Sequence, residues 1–279
     1  VSLPGLVTAG TPSPTWLRII NWGLWKSGKT VFSATFPRPL FIHPAVESGY
    51  DALKIAWNGV QWVNPFDVVA VGAEPWNRSV RHELDEWIAW LQQDCATAAW
   101  EGRAPTYQTV VFGGFSVTQK AVLGEFETLL PGEKGVMRRY GRLASWAQAF
   151  TQQLLGLPVH IIIELSAKEI RPENEKVGSR RVEYEPELVG QGKSVLFHDA
   201  NVIVFQEAKP GRYLTHFTRT GSARHVDVRL LQLRGLGAVE NATYDLFAER
   251  LGLPPIWVAD PAHPRCQPGQ WPWQGHWHV

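Results

Sequence analysis

Apolar residues along the chain gather into short blocks separated by glycine, proline and clustered charge. The first block, Trp16-Leu17-Arg18-Ile19-Ile20, runs into a glycine-bearing turn over Gly23–Thr30 and then a short segment ending at Pro37 and Pro39. That order reads strand, loop, helix. Pro39-Leu40-Phe41-Ile42 and Phe66–Val71 have the continuous apolar character of buried strands, as do Thr109–Phe112, bounded by Gly113-Gly114, and Val159–Ile163. Between them the period changes. From Ser79 to Trp100 the residues Leu84, Trp87, Ile88 and Leu91 recur at three and four, which places them on one face of a helix, and Tyr140–Leu155 is a second amphipathic helix. Strands alternating with helices at this spacing predict an α/β fold with a mostly parallel sheet flanked by helices.

Past the fifth strand the pattern breaks. Residues 171–192 are dense in charge and poor in apolar side chains, and are expected to form a mobile loop. Val202–Gln206 and Tyr213–Thr218, joined through Lys209-Pro210-Gly211-Arg212, have the punctuation of a hairpin, so the sheet is expected to finish antiparallel. A short helix over 240–251 precedes a tail rich in Pro, Trp and His. The organisation expected is an arm at 1–13, a core domain at 14–235 and a C-terminal helix with its tail at 236–279.

Composition narrows the classes. With 44% hydrophobic and 19% charged residues over 279 positions, a sizeable core is affordable and disorder is excluded as the main state. Lys+Arg 27 against Asp+Glu 26 leaves a net charge of +1, so any nucleic-acid contact must come from a local patch. Cys95 and Cys266 stand far apart with no CxxC, which supports neither a disulfide framework nor a cysteine metal site. No stretch has the length and flanks of a signal peptide or membrane span, and the protein is expected to be soluble, cytoplasmic and not membrane-bound. Fourteen Trp against a single Met is unusual, and nothing in the sequence explains it.

The chemistry centres on Gly23-Leu24-Trp25-Lys26-Ser27-Gly28-Lys29-Thr30, which fits G-x-x-x-x-G-K-[ST] at every fixed position between an expected strand and an expected helix. The spacing lets successive backbone N–H groups wrap a phosphate, and Gly28 keeps that approach clear of side chains. Lys29 is then the residue that reaches the β- and γ-phosphate oxygens, and the Thr30 hydroxyl is the expected Mg²⁺ ligand. Lys26 adds a second cation, or is simply a solvated lysine. A phosphate-binding loop of this kind also needs an acid at the end of a nearby strand. The strand best placed for it, Thr109–Phe112, is followed by Gly113 and Gly114 instead. Glu47, Glu74 and Glu164 each follow or close an expected strand and are the candidate substitutes, because ligands in open α/β sheets sit at the carboxyl ends of the strands. Arg138, Arg139 and Arg142, with Arg180 and Arg181, are candidate contacts to nucleic-acid phosphates, or solvated charge. Arg219 and Arg224 follow the hairpin and are candidate arginine fingers. His263, His276 and His278 lack the paired spacing of a metal site and read as part of an interaction or packing tail.

The order of segments carries a resemblance. GLWKSGKTVFSATFPRPLFI, then YQTVVFGGFSVTQ, then a helix and LPVHIIIELSAKE, then YEPELVGQGK and a run ending TGSARHVDVR, resembles the phage AAA-type, RecA-like P-loop ATPases of single-strand annealing and recombination, over roughly residues 14–230. The resemblance implies a RecA-like core binding ATP and Mg²⁺, contact with single-stranded DNA, cooperation with a single-strand-binding protein, and assembly into rings or filaments. By position, Gly23, Gly28, Lys29 and Thr30 match the family's nucleotide loop, and Glu47 lies near its acid after the second strand. Ser166-Ala167-Lys168-Glu169 falls where the family carries a Thr-Ala-His-Glu-like sensor segment, so Lys168 departs from it. Gly113 stands where the family has its Walker B aspartate. Two rivals remain at this stage: a P-loop module that binds nucleotide without hydrolysing it, and a small-molecule kinase, which the hairpin after residue 200 fits poorly.

Overall fold

The computed structural model describes residues 16–45, 66–72, 79–129, 136–170, 182–188, 192–210, 212–220, 223 and 225–254. The arm at 1–13, Glu47, Glu74, Arg180, Arg181, Arg224 and the histidines of the tail lie outside the described residues.

Strand β1 (Arg18–Gly23) leads through the loop into helix α1 (Lys29–Ala34), and then come β2 (Pro39–Pro44) and β3 (Asp67–Val71). Helix α2 (Val80–Glu101), β4 (Thr109–Phe112), α3 (Phe115–Leu129), α4 (Val136–Leu155) and β5 (His160–Ile170) follow. The chain continues with β6 (Glu183–Pro186), α5 (Gly192–Asp199), β7 (Val202–Lys209), β8 (Arg212–His216), β9 (Asp227–Val228), β10 (Ala238–Glu240) and α6 (Tyr244–Leu251).

The sheet runs in the order β10-β8-β7-β1-β5-β4-β2-β3. From β7 to β3 every neighbouring pair is parallel, while β8 and β10 extend the edge antiparallel. The fold is therefore α/β, a mostly parallel sheet flanked by helices with an antiparallel C-terminal extension, as expected from the sequence. Its buried central strands are the apolar blocks of the sequence, as a sheet covered on both faces requires. The order has a consequence for chemistry: β5 lies between β1, which ends in the loop, and β4, which ends in Gly113.

Alternation along the strands divides the interior in two. Ile20, Trp22, Phe112, Ile161 and Ile163 face a layer containing α2, α4 and α5, where Leu84, Ile88, Phe150 and Leu154 are buried. Leu17, Ile19, Phe41, Val111 and Ile162 face the opposite way, against Phe32 and Phe36 from α1 and its end and Tyr244 and Phe247 from α6. On that second face Phe36 lies within 5.3 Å of the Tyr244 ring and 5.7 Å of the Phe247 ring, which fixes α1 against the sheet.

Five elements differ from the sequence expectation: α3, β6, α5 and the short strands β9 and β10, the last ending at Glu240, where the C-terminal helix was expected to begin. Helix α3 was not expected. Its buried positions include Ser116, Thr118 and Gln119 beside Phe115, Val122 and Phe126, so polar residues inside dilute the apolar period. The charge-dense stretch read as a loop holds β6 and the start of α5. Strand β6 forms because it pairs antiparallel with the far half of β5, with Lys168 opposite Glu185 and their side chains 3.8 Å apart. This is tertiary pairing overriding a polar, Glu-rich sequence.

Candidate nucleotide-binding site

The loop leaves the buried end of β1 and turns back into α1. Its outer residues, Leu24, Trp25 and Lys26, are exposed, while Ser27 is buried beneath them. Two residues take the left-handed backbone conformation, Lys26 at φ 60° and Gly28 at φ 89°. For Gly28 this is free of strain, whereas for Lys26 it costs on the order of 1 kcal/mol, a cost typical of backbone held in place at functional turns. Residues 26–28 thus turn the main chain tightly between β1 and α1, with the Ser27 N–H donating to the Leu24 carbonyl at 3.3 Å.

Both fixed glycines are required by contact, and Gly28 by conformation as well. A Cβ on Gly23 would stand 2.5 Å from the Gln206 carbonyl oxygen and 2.6 Å from Ser27 Oγ. One on Gly28 would stand 2.6 Å from the ring of Tyr213, which reaches over from β8. The antiparallel extension therefore packs directly on the loop.

Lys29 folds back onto the loop, its Nζ donating to the carbonyls of Gly23 (3.1 Å) and Leu24 (2.8 Å). Thr30, one residue on, donates its hydroxyl to Glu164 Oε2 at 3.1 Å, and Ser33, one turn later on α1, donates to Glu164 Oε1 at 2.6 Å. Glu164 sits on β5 and is only 4% exposed. Asn21, its neighbour on β1, donates through Nδ2 to the Lys29 carbonyl (3.0 Å) and to Ser33 Oγ (3.4 Å). Ser33 has one proton and two acceptors in reach, the Lys29 carbonyl at 3.0 Å and the carboxylate. With Asn21 covering that carbonyl, the proton is directed to the shorter, charge-assisted bond.

Three buried polar atoms around the loop have no hydrogen-bond partner among the described residues: Asn21 Oδ1, Ser27 Oγ and Gln206 Nε2. Unsatisfied buried polar atoms are uncommon and costly, and their gathering beside one turn marks a place built for more than packing. Oxygen atoms at Thr30 and Glu164, a lysine and a tight glycine-bearing turn at the start of a helix fit a triphosphate and a hard divalent cation.

The profile of a family described as an AAA domain matches residues 16–229, more than half of the chain. The chain belongs to this family. As an AAA domain it is a nucleotide-binding, P-loop ATPase-type protein, and the matched span runs from just before β1 to just beyond β9. No curated protein is similar enough to the chain to match it.

Of the residues singled out in the sequence, Gly23–Thr30 and Glu164 come together in one site of this AAA domain. Gly113 lies at the end of β4, its N–H donating to the Ile42 carbonyl at 2.9 Å. Lys168 is drawn away to β6, and Arg219 is exposed beyond β8. Arg138 and Arg142 are exposed on α4. Sequence reasoning missed Asn21, Ser33, Gln206 and Tyr213. A signal for two of them exists: Asn21 is a polar residue inside an apolar strand just before the motif, and Ser33 falls one helical turn after Lys29.

Proposed function

We propose that this AAA domain binds ATP with Mg²⁺ at Gly23–Thr30 and uses it while acting on single-stranded DNA in phage recombination or replication. The carrying observation is the loop itself, with Lys29 positioned on its carbonyls and the Thr30 hydroxyl held by a buried acid. Lys29 is the cation for the β- and γ-phosphates, and Thr30 is the oxygen ligand for the metal. Metal-bound triphosphate supplies a polarised phosphoanhydride, and the chain's own part is to grip, orient and shield it.

The DNA reading is supported by the cleft between α3 and α4. Arg138 and Arg142, one helical turn apart, line it with Arg81, Phe126 and Trp146. Arg81 lies 4.9 Å from the centroid of the Phe126 ring, so charge and aromatic surface alternate there as strand binding requires. Cooperation with a single-strand-binding protein and assembly into rings or filaments belong to the same proposal. Phosphate release with and without single-stranded DNA tests it: turnover stimulated by DNA and lost in Lys29→Ala is the expected result, and unstimulated turnover refutes the DNA coupling.

Gly113 favours a second reading, in which the domain binds nucleotide tightly and does not hydrolyse it, serving as a structural or regulatory module. Tight ATP binding without phosphate release is its signature.

A further inference from the structure

We infer that Glu164 takes over the task of the missing strand-end aspartate, so that the acid supporting the Thr30-bound cation has moved one strand along the sheet. This rests on the proposed binding of ATP with Mg²⁺ at the loop.

The register carries the argument. Asn21 on β1 is paired with Glu164 on β5, and Phe112 on β4 with Ile163. Gly113 therefore falls one step beyond Phe112, in the row that contains Asn21 and Glu164. Alternation sends Val111 and Ile162 to the α1 face, so a side chain at position 113 would leave the sheet on the same side as Glu164. Adjacent strands are about 4.8 Å apart, which would set carboxylates at 113 and 164 against each other in a buried row. Like charges that close disfavour joint ionisation. Glycine at 113 and glutamate at 164 thus make one arrangement: the acid is absent from β4 and present on the strand beside it, nearer to the loop.

Glu164 also has the required contacts. Among the described residues it is the sole hydrogen-bond partner of the Thr30 hydroxyl, and Ser33 fixes its other oxygen. The glutamate side chain is one methylene longer than aspartate and is held at both oxygens, so its orientation is set before any ligand arrives. A purely structural glutamate would satisfy Ser33 equally well but would leave magnesium dependence untouched.

The test is a titration of the full chain with a fluorescent ATP analogue, in excess Mg²⁺ and in EDTA, for wild type, Glu164→Gln, Gly113→Asp and the double variant. In the wild type, Mg²⁺ is expected to tighten binding at least tenfold. Glu164→Gln, nearly isosteric, with its amide oxygen accepting from one of the two hydroxyls and its NH2 donating to the other, is expected to lose most of that gain, read as the ratio of its affinities in Mg²⁺ and in EDTA. Gly113→Asp with Glu164→Gln is expected to recover the gain, because it returns the acid to the neighbouring strand. An undiminished magnesium effect in Glu164→Gln overturns the inference and leaves nucleotide binding intact. Absence of analogue binding in the wild type, with or without metal, overturns the underlying reading as well. Should Glu164→Gln fail to fold, as judged by thermal unfolding, the double variant decides: a folded double variant without magnesium enhancement refutes the relocation.

Discussion

The two faces of the central sheet are built from the same strands and do different work. Toward α2, α4 and α5 the interior is packed with large apolar side chains, with Phe112 and Phe150 at 5.1 Å and Trp146 stacked on Phe150 at 5.4 Å. Toward α1 the aromatic packing of Phe36, Tyr244 and Phe247 gives way, near the carboxyl ends of the strands, to Asn21, Ser33, Glu164, Gln206 and Thr215, all buried. The first face is stabilised by area removed from water. The second gives up some of that stabilisation to hold a carboxylate and several amides and hydroxyls in fixed positions. Chemistry is therefore placed where the sheet is most polar inside, beside the loop, and the opposite face supplies the rigidity that keeps it there.

The sharpest way to break this comparison is to remove an aromatic from the apolar face. Phe150 is 2% exposed, and Phe150→Ala is expected to cost about 3–5 kcal/mol in denaturant unfolding, with nucleotide affinity of the remaining folded protein unchanged. A large loss of affinity per folded molecule would mean that the two faces are not separable.

A smaller effect is expected from Ser33→Ala. It takes one of two hydroxyl donors from a buried carboxylate, and the expected destabilisation is about 1–3 kcal/mol, read from the same unfolding curves. Here the affinity for nucleotide should fall too, in contrast to Phe150→Ala, since Glu164 loses the hydroxyl that holds its Oε1.

The α1 face also has a pH-dependent element away from the site. His160 begins β5, four residues before Glu164, and its Nδ1 accepts from the Leu17 N–H at 3.1 Å. Burial, aided by nearby Arg18, lowers its pKa from 6.5 to about 3. A folded-state pKa below the unfolded value means that protonation favours unfolding. The contribution of His160 is thus complete above about pH 6.5 and is lost as pH falls toward 3. His160→Gln, which retains an acceptor, is expected to flatten the stability profile over that window. An unchanged slope would show that His160 does not titrate on unfolding.

The contrast between the faces also explains what could be read from sequence. The strands of the parallel core and the loop are legible because each is local: a block of Val, Ile and Phe, or eight residues in fixed spacing. Helix α3 was not legible, because Ser116, Thr118 and Gln119 are buried where an amphipathic pattern calls for apolar residues. Strand β6 was hidden for another reason, since Glu183–Pro186 becomes a strand only by pairing with β5. At the site, Glu164 was one of three candidate acids. Only the fold brings it to Thr30, across 134 positions of sequence, because the spatial order of the strands is not written locally. Gln206 and Tyr213 were missed on the same grounds: they come from β7 and β8, far along the chain, which the motif itself does not specify.

The most direct measurement is calorimetric titration of the full chain with magnesium-ATP, beside Lys29→Ala. Saturable heat at one site per chain, abolished by the substitution while the protein stays folded, is the predicted result. No heat with millimolar ATP or GTP, or equal heat from Lys29→Ala, would contradict the assignment of Gly23–Thr30 as the nucleotide site.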